Sequence, residues 1–338
     1  MKRRSLRFNI VLLAVSIILS IIIGMVLLLT LDVFVFKLAR NELWFDPNTE
    51  FDPELGWRQI PNRFVYMTSE NITSNSLGGR GEEVDYSKEH ILVMGDSVVL
   101  GFAVDDKQTM PYYLEGLIDG KYPGLQVLNM GVSGYGIDQY YLSLNKRINL
   151  TNPRLVIVVI YTRNDFEDTS SDNAYGRSKP FLMIRNNQLV NLNPKISRYS
   201  CHNLLTDSKI LRLTDRKGQL RNHLCDGRQH SRNETEEIIK RLLSEVERIA
   251  DEHGSRLLFV LDPGMREFEN ESVNQRFFRE LFRNSDYSYL DYYAFLKSRD
   301  IDVSDLYQDD DPNHFTPSGN RLWAEAIFSY IEENRLLD

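Results

Sequence analysis

Cysteine is scarce, with only Cys201 and Cys225 among 338 residues. Two cysteines cannot build a disulfide framework, and neither stands in a Cys/His spacing of metal-binding type. The glycines never fall into Gly-x-Gly-x-x-Gly, and no Gly-Lys-Ser/Thr follows them. Nucleotide-phosphate loops of those kinds are therefore excluded. Excess positive charge is also missing. The net charge is −8 and the pI about 5.4, which argues against a nucleic-acid partner, since phosphate binding needs a basic face. Histidine is limited to six positions, which narrows any search for a catalytic base.

Long hydrophobic runs are limited to one. No charged residue falls between Phe8 and Leu31. At about 1.5 Å per helical residue, these 24 residues reach across a bilayer core. A cleaved signal peptide has a shorter apolar region and a small-residue cleavage site, and no Ala-x-Ala follows this one. A retained transmembrane helix over residues 8–31 is expected. Lys2, Arg3, Arg4 and Arg7 precede it, so residues 1–7 are expected in the cytoplasm and the remainder in the periplasm or outside the cell.

What is present after the span is globular in composition, 42% hydrophobic and 26% charged. Residues 32–89 hold no long periodic segment. They read as a lead-in whose aromatics, Trp44, Phe45, Phe51 and Trp57, pack on the following domain. Ser74–Gly81 reads as a flexible loop. From residue 90 to 338 strands alternate with helices. Strands are expected at Ile91–Met94, Leu125–Asn129, Leu155–Tyr161, Arg256–Leu261 and Ser288–Leu290. Helices are expected over 108–119, 137–148, 234–253, 272–284 and 317–334. Short apolar runs alternating with helical segments imply a doubly wound parallel α/β sheet of five strands.

Residues 166–233 interrupt the alternation and are too long for an ordinary crossover. Phe181–Ile184 and Gln188–Val190 read as a hairpin around Arg185-Asn186-Asn187. Residues 195–232 carry nine Lys/Arg against three Asp. Two readings stand: a solvated insertion face, or a lid or docking surface for an anionic partner. Both cysteines lie here, either bridged, which suits an exported domain, or as free thiols.

Ile91–Met94 is followed by Gly95-Asp96-Ser97, which puts a serine where open α/β sheets bind ligands. A nucleophilic serine needs a base, an orienting acid and oxyanion donors. His90 falls at the opposite end of the sheet, His253 reads as a helix cap, and His202, His223 and His230 lie in the insertion. His314 sits in a loop, Asp309–Pro317, just before the last helix. Asp311, three residues earlier, can reach its Nδ1 and leave Nε2 for Ser97. The acidic run has an alternative reading as a weak calcium site. Two more strand-end loops, Asn129–Gly136 and Tyr161–Asp165, offer a glycine N–H and an asparagine amide, the donor types of an oxyanion hole. Ser133 is a rival nucleophile, but Tyr135 stands where the Gly-x-Ser-x-Gly elbow needs glycine.

Gly95-Asp96-Ser97, Gly134, Asn164-Asp165 and Asp311-x-x-His314, in that order, resemble the SGNH (GDSL-type) hydrolase superfamily. The four blocks span nearly the whole domain. The resemblance implies a flavodoxin-like sheet, with Ser97 as nucleophile, His314 as base and then acid, and Asp311 as its orienter. It also implies oxyanion donors at Ser97, Gly134 and Asn164, with Gly134 preferred over Gly131. No cofactor and no metal is expected. Thr162 stands where the family commonly has glycine, and its side chain is expected to crowd the pocket floor. The first block continues into Val98 rather than leucine. The expected activity is ester hydrolysis, on an O-acyl group of an envelope glycan or lipid. An O-acyltransferase using the same triad, or a catalytically silent binding module, are the alternatives.

Overall fold

The computed structural model describes residues 12–13, 15–28, 30–31, 48–67, 70–175, 177–196, 227–268, 270–309 and 311–338. Two compact units are distinguished, residues 1–47 with 199–226, and residues 48–198 with 227–338. In the first, the described residues 12–13, 15–28 and 30–31 are helical, with exposed apolar side chains such as Leu13 and Leu27. Among the described residues no helix is long and apolar enough to cross a membrane. Residues 8–11, 14 and 29 of the expected span lie outside them, as do His202, His223, Cys201, Cys225 and most of the basic stretch.

The second unit opens with two antiparallel hairpins, β1 (Thr49–Asp52) with β2 (Gly56–Gln59) and β3 (Phe64–Met67) with β4 (Glu70–Thr73). The stretch 74–81, expected to be a flexible loop, is instead tied down. Arg80 is buried and its guanidinium donates to Asp106 and to the carbonyls of Asn71, Leu100, Gly101 and Val104. Its backbone N–H donates to Asn129 O at 2.9 Å. One long polar side chain has found enough acceptors to fix a segment whose glycines suggested freedom.

The alternating part follows: β5 (Glu89–Met94), α1 (Ser97–Leu100), α2 (Met110–Asp119), β6 (Leu125–Asn129), α3 (Ile137–Thr151) and β7 (Pro153–Tyr161). In the interruption come α4 (Asp165–Ser170), a short hairpin β8 (Asn173–Ala174) and β9 (Arg177–Ser178), and a second hairpin β10 (Leu182–Arg185) and β11 (Gln188–Asn191). The second hairpin turns through two residues, Asn186 and Asn187, both at positive φ, and not three. Asparagine tolerates that region better than other side chains. Then come α5 (Arg232–Glu252), β12 (Arg256–Asp262), α6 (Val273–Arg283), β13 (Tyr289–Asp291), α7 (Tyr292–Ser298) and α8 (Pro317–Glu333).

Five strands pair in parallel in the order β13-β12-β7-β5-β6. Counted along the chain this is 2-1-3-4-5, the flavodoxin-like arrangement, whose switch point lies between β5 and β7. Ile91, Leu92, Val93 and residues 155–160 are buried on both sides of the sheet, which explains their unbroken apolar runs. Ile91, Val93, Leu155, Ile157 and Val159 share a core with Leu114 and Ile118 of α2 and with Trp323 and Ile327 of α8. Alternation turns Leu92, Val156, Val158 and Ile160 to the other face. Each such buried side chain contributes roughly 1.5–3 kcal/mol.

Helix starts follow local chemistry. Ser231 and Glu234 form a reciprocal capping box on α5. Thr316 caps α8 with Pro317 at its first position. α2 starts at 110 rather than 108, because Thr109 caps it and a 3-10 turn takes Asp106–Gln108.

Candidate active site

β5 delivers Gly95-Asp96-Ser97 to the switch-point edge. Asp96 caps the short α1, accepting Val98 N–H at 3.0 Å. Its carboxyl is fully buried, and desolvation raises its pKa. Ser97 is the first helical residue, and its Oγ lies 2.8 Å from His314 Nε2. His314 Nδ1 lies 2.6 Å from Asp311 Oδ2. A carboxylate only accepts, so Nδ1 carries the proton and Nε2 is left to accept from Ser97. Asp311 Oδ1 also accepts from the backbone and side-chain amides of Asn313, at 3.2 and 3.0 Å. The hydrogen bond from His314, helped by those from Asn313, holds the Asp311 carboxyl below the usual carboxylate range despite partial burial.

The loop carrying this pair is anchored from behind. Phe315 is buried, with its ring centroid 4.6 Å from Tyr307 and 5.1 Å from Trp323. Gln308 N–H donates to His314 O at 2.9 Å. Phe102, 40% exposed, lies with its ring centroid 4.8 Å from that of His314.

The two glycines after β6 are distinguished by their N–H groups. Gly131 N–H donates to Asn129 Oδ1 at 3.0 Å, and a Cβ there would lie 2.3 Å from Leu100 N. It is a packing glycine with its donor already occupied. Gly134, at φ +76°, donates no hydrogen bond among the described residues, and neither does the Ser97 backbone N–H. Asn164 follows β7. Its Nδ2 lies 3.3 Å from Asp96 Oδ2 and 3.5 Å from the Tyr175 hydroxyl. Asp165 is a brace rather than a participant: it accepts from Tyr161 N–H and from the Tyr140 hydroxyl, both at 2.9 Å.

Thr162 does not crowd the site as expected. It is buried, and its hydroxyl donates to Glu267 Oε2 at 2.6 Å. Glu267 in turn accepts from Gly264 N–H and Ser272. The side chain that replaces the family glycine thus bonds inward, tying the β7 end to the 3-10 turn Met265–Phe268.

The other described histidines stand apart. His90 bonds to Thr151 O, His253 to Ile249 O and Asn149, and His230 stacks on Phe181. Ser133 Oγ has no hydrogen-bond partner among the described residues, so it lacks a base. No group of three metal-type ligands occurs among the described residues, which exclude Asp310. Sequence reasoning missed Phe102 and Tyr175. Neither lies in a periodic segment or at a motif offset, so no local signal marked them.

A family model described as GDSL-like lipase/acylhydrolase matches residues 91–327, well over half of the chain. No curated protein matches the sequence. Among solved structures, the chain is similar to TesA, at 13% identity and a TM-score of 0.44, covering 74% of this chain and 100% of that one. It is similar to a lipase/acylhydrolase from Enterococcus faecalis, at 14% identity, TM-score 0.42, covering 73% and 96%. It is similar also to the acetylxylan esterase Axe2 from Geobacillus stearothermophilus, at 16% identity, TM-score 0.42, covering 72% and 94%. The chain belongs to the GDSL-like lipase/acylhydrolase family and is an ester-hydrolysing enzyme.

Proposed function

We propose that this chain is a membrane-anchored, extracytoplasmic serine esterase with Ser97 as nucleophile. The observation that carries this reading is the His314 ring, bonded at once to Asp311 and to Ser97. Ser97 Oγ attacks the acyl carbonyl as its proton passes to His314 Nε2. Asp311 holds the imidazole in the tautomer that permits this and favours the imidazolium that forms. The carbonyl oxygen, now negative, takes hydrogen bonds from the N–H groups of Ser97 and Gly134 and from the Asn164 amide. His314 protonates the departing alcohol. Water, deprotonated by His314, then cleaves the acyl-enzyme.

A cleft of about 620 Å³ is lined by Arg163, Glu167, Met265, Arg266, Asn274 and Pro312 among others, of which Arg163 and Pro312 adjoin Asn164 and Asp311 in sequence. The substrate class we propose is an O-acyl ester of an envelope glycan or a lipid.

A fluorophosphonate, which reacts only with an activated serine, tests the assignment. The wild type should label covalently. Ser97→Ala and His314→Ala should not label while retaining the native unfolding midpoint. A folded wild type that takes no label, or a label surviving Ser97→Ala, overturns the reading. Measuring free acid against acylated acceptor on an acetylated glycan then tells hydrolysis from acyl transfer.

A further inference from the structure

We infer that Phe102 is a specificity-determining residue for this reaction. Its open ring is the platform on which the leaving alcohol rests, and it selects an alcohol carried on a flat ring, as in a pyranose. The inference rests on the esterase reading above and names the alcohol side of its substrate.

Exposure alone carries nothing, since single apolar side chains on a surface are ordinary. The position of this one is what matters. The Phe102 backbone N–H donates to Ser97 O at 3.1 Å, which ties it to the residue that carries the nucleophile. Its ring lies against the His314 ring, with the two planes 40° apart. One residue is thus held against both partners of the proton transfer, while part of its ring stays open.

The turn that presents the ring is strained and firmly held. Gly101 before it has φ +82°, and Ala103 after it has φ +66°. Ala103 carries a Cβ, so the left-handed region is unfavourable for it. Such strain persists only where the surroundings over-determine it. Arg80 supplies the hold. Its buried guanidinium donates to the carbonyls of Leu100 and Gly101 ahead of Phe102 and of Val104 beyond it. Asp106 accepts from the same guanidinium at 2.7 Å, so the buried charge is paired. Thr109 packs against the turn: a Cβ on Gly101 would lie 2.5 Å from its Cγ2. A strained turn that keeps a large apolar ring partly out of the core gains little by burial, so the gain lies in what the ring meets.

The proposed mechanism decides what that is. The carbonyl oxygen of the ester turns to the oxyanion donors. When the ester C–O bond breaks, the alcohol oxygen takes its proton from His314 Nε2, so it lies within hydrogen-bond reach of that atom. The alcohol therefore departs past the imidazole, and the ring beside the imidazole borders the alcohol rather than the acyl chain. A partly open aromatic ring offers one flat face. An alkyl chain gains most from a groove that encloses it. A pyranose lays the C–H bonds of one face on such a ring and keeps its hydroxyls in water at the rim.

The test varies the alcohol and the acyl group separately. Wild type, Phe102→Ala, Phe102→Leu and Phe102→Tyr are assayed on a mono-O-acetylated methyl glucoside, hexyl acetate and hexyl butyrate. Rates are normalised to the sites a fluorophosphonate labels, so that misfolded protein does not count. Phe102→Ala and Phe102→Leu should each lower kcat/KM on the glucoside ester about tenfold relative to hexyl acetate, the scale of one aromatic contact. Phe102→Tyr keeps the face and should keep the wild-type ratio. The acetate-to-butyrate ratio should stay the same in every variant. A glucoside-to-hexyl ratio that survives Phe102→Ala or Phe102→Leu overturns the proposal. An equal loss on all three esters, with fluorophosphonate inactivation slowed in parallel, overturns it as well, since Phe102 would then act through His314. A changed acetate-to-butyrate ratio puts the ring on the acyl side and overturns it too. A folded wild type that neither hydrolyses nor labels removes the esterase reading, and this one with it.

Discussion

In the proposed mechanism Asp311 never touches the ester, yet through its hydrogen bond to Nδ1 it decides what His314 can do. Its carboxyl is held low by the hydrogen bond from the ring it orients. Replacing it with asparagine keeps the shape and removes the acceptor that selects the Nδ1 proton. Asp311→Asn should lower kcat on the order of 10³–10⁴. The linkage sign follows from the direction of the shift. A carboxyl depressed in the folded state stabilises above its unfolded value of ~3.9 and loses that contribution as pH falls through the folded value. The unfolding midpoints of wild type and Asp311→Asn should therefore differ by a constant amount at neutral pH and converge in acid. At this scale Ser97, Asp311 and His314 were legible because their chemistry is local: a strand end, and a spacing of three across a proline. Gly134 was separated from Gly131 only by family likeness, and the structure supplies the physical difference, one N–H already bonded and the other not. Thr162 was misjudged because the direction of a buried side chain depends on Glu267, more than a hundred residues away.

Elements fell into two groups. The five strands and the long helices could be read because apolar runs and 3.6-residue periodicity mark anything buried on one or two faces. The hairpin of β8 and β9 could not, because two-residue strands carry no period. What fixes that hairpin is tertiary. Lys179 and Asp138 form an ion pair 0% and 2% exposed, joining the interruption to the first turn of α3. Removing one partner leaves the other charged and desolvated, so Lys179→Met should cost about 3–5 kcal/mol in a denaturant titration. The apolar pair Lys179→Met/Asp138→Leu should recover most of that loss. The lead-in was similarly opaque in its detail. Trp57 is buried and donates from Nε1 to Ser133 O at 2.9 Å, and Gln139 Nε2 donates to Leu55 O at 2.7 Å. A segment preceding the sheet thus braces the loop that holds Gly134.

For the whole molecule, alternation of strands and helices predicted a doubly wound sheet, and the observed order places the Ser97 and Asn164 loops on either side of its switch point. The proposed anchor belongs to this scale. If residues 8–31 span a bilayer, the chain should stay in the membrane pellet through an alkaline carbonate wash. Protease added from the extracytoplasmic side should digest the domain beyond residue 32. Release into the wash would overturn the anchor and leave the esterase assignment standing. One further consequence follows from the hydrogen bond between Ser97 and His314, which spans 217 positions of sequence. At ribosomal speeds of about 5–20 residues per second, Ser97 emerges roughly 10–40 s before His314. On the proposed mechanism the newborn chain is unarmed during that interval, and chemistry waits until the loop before α8 has docked and brought His314 to Ser97.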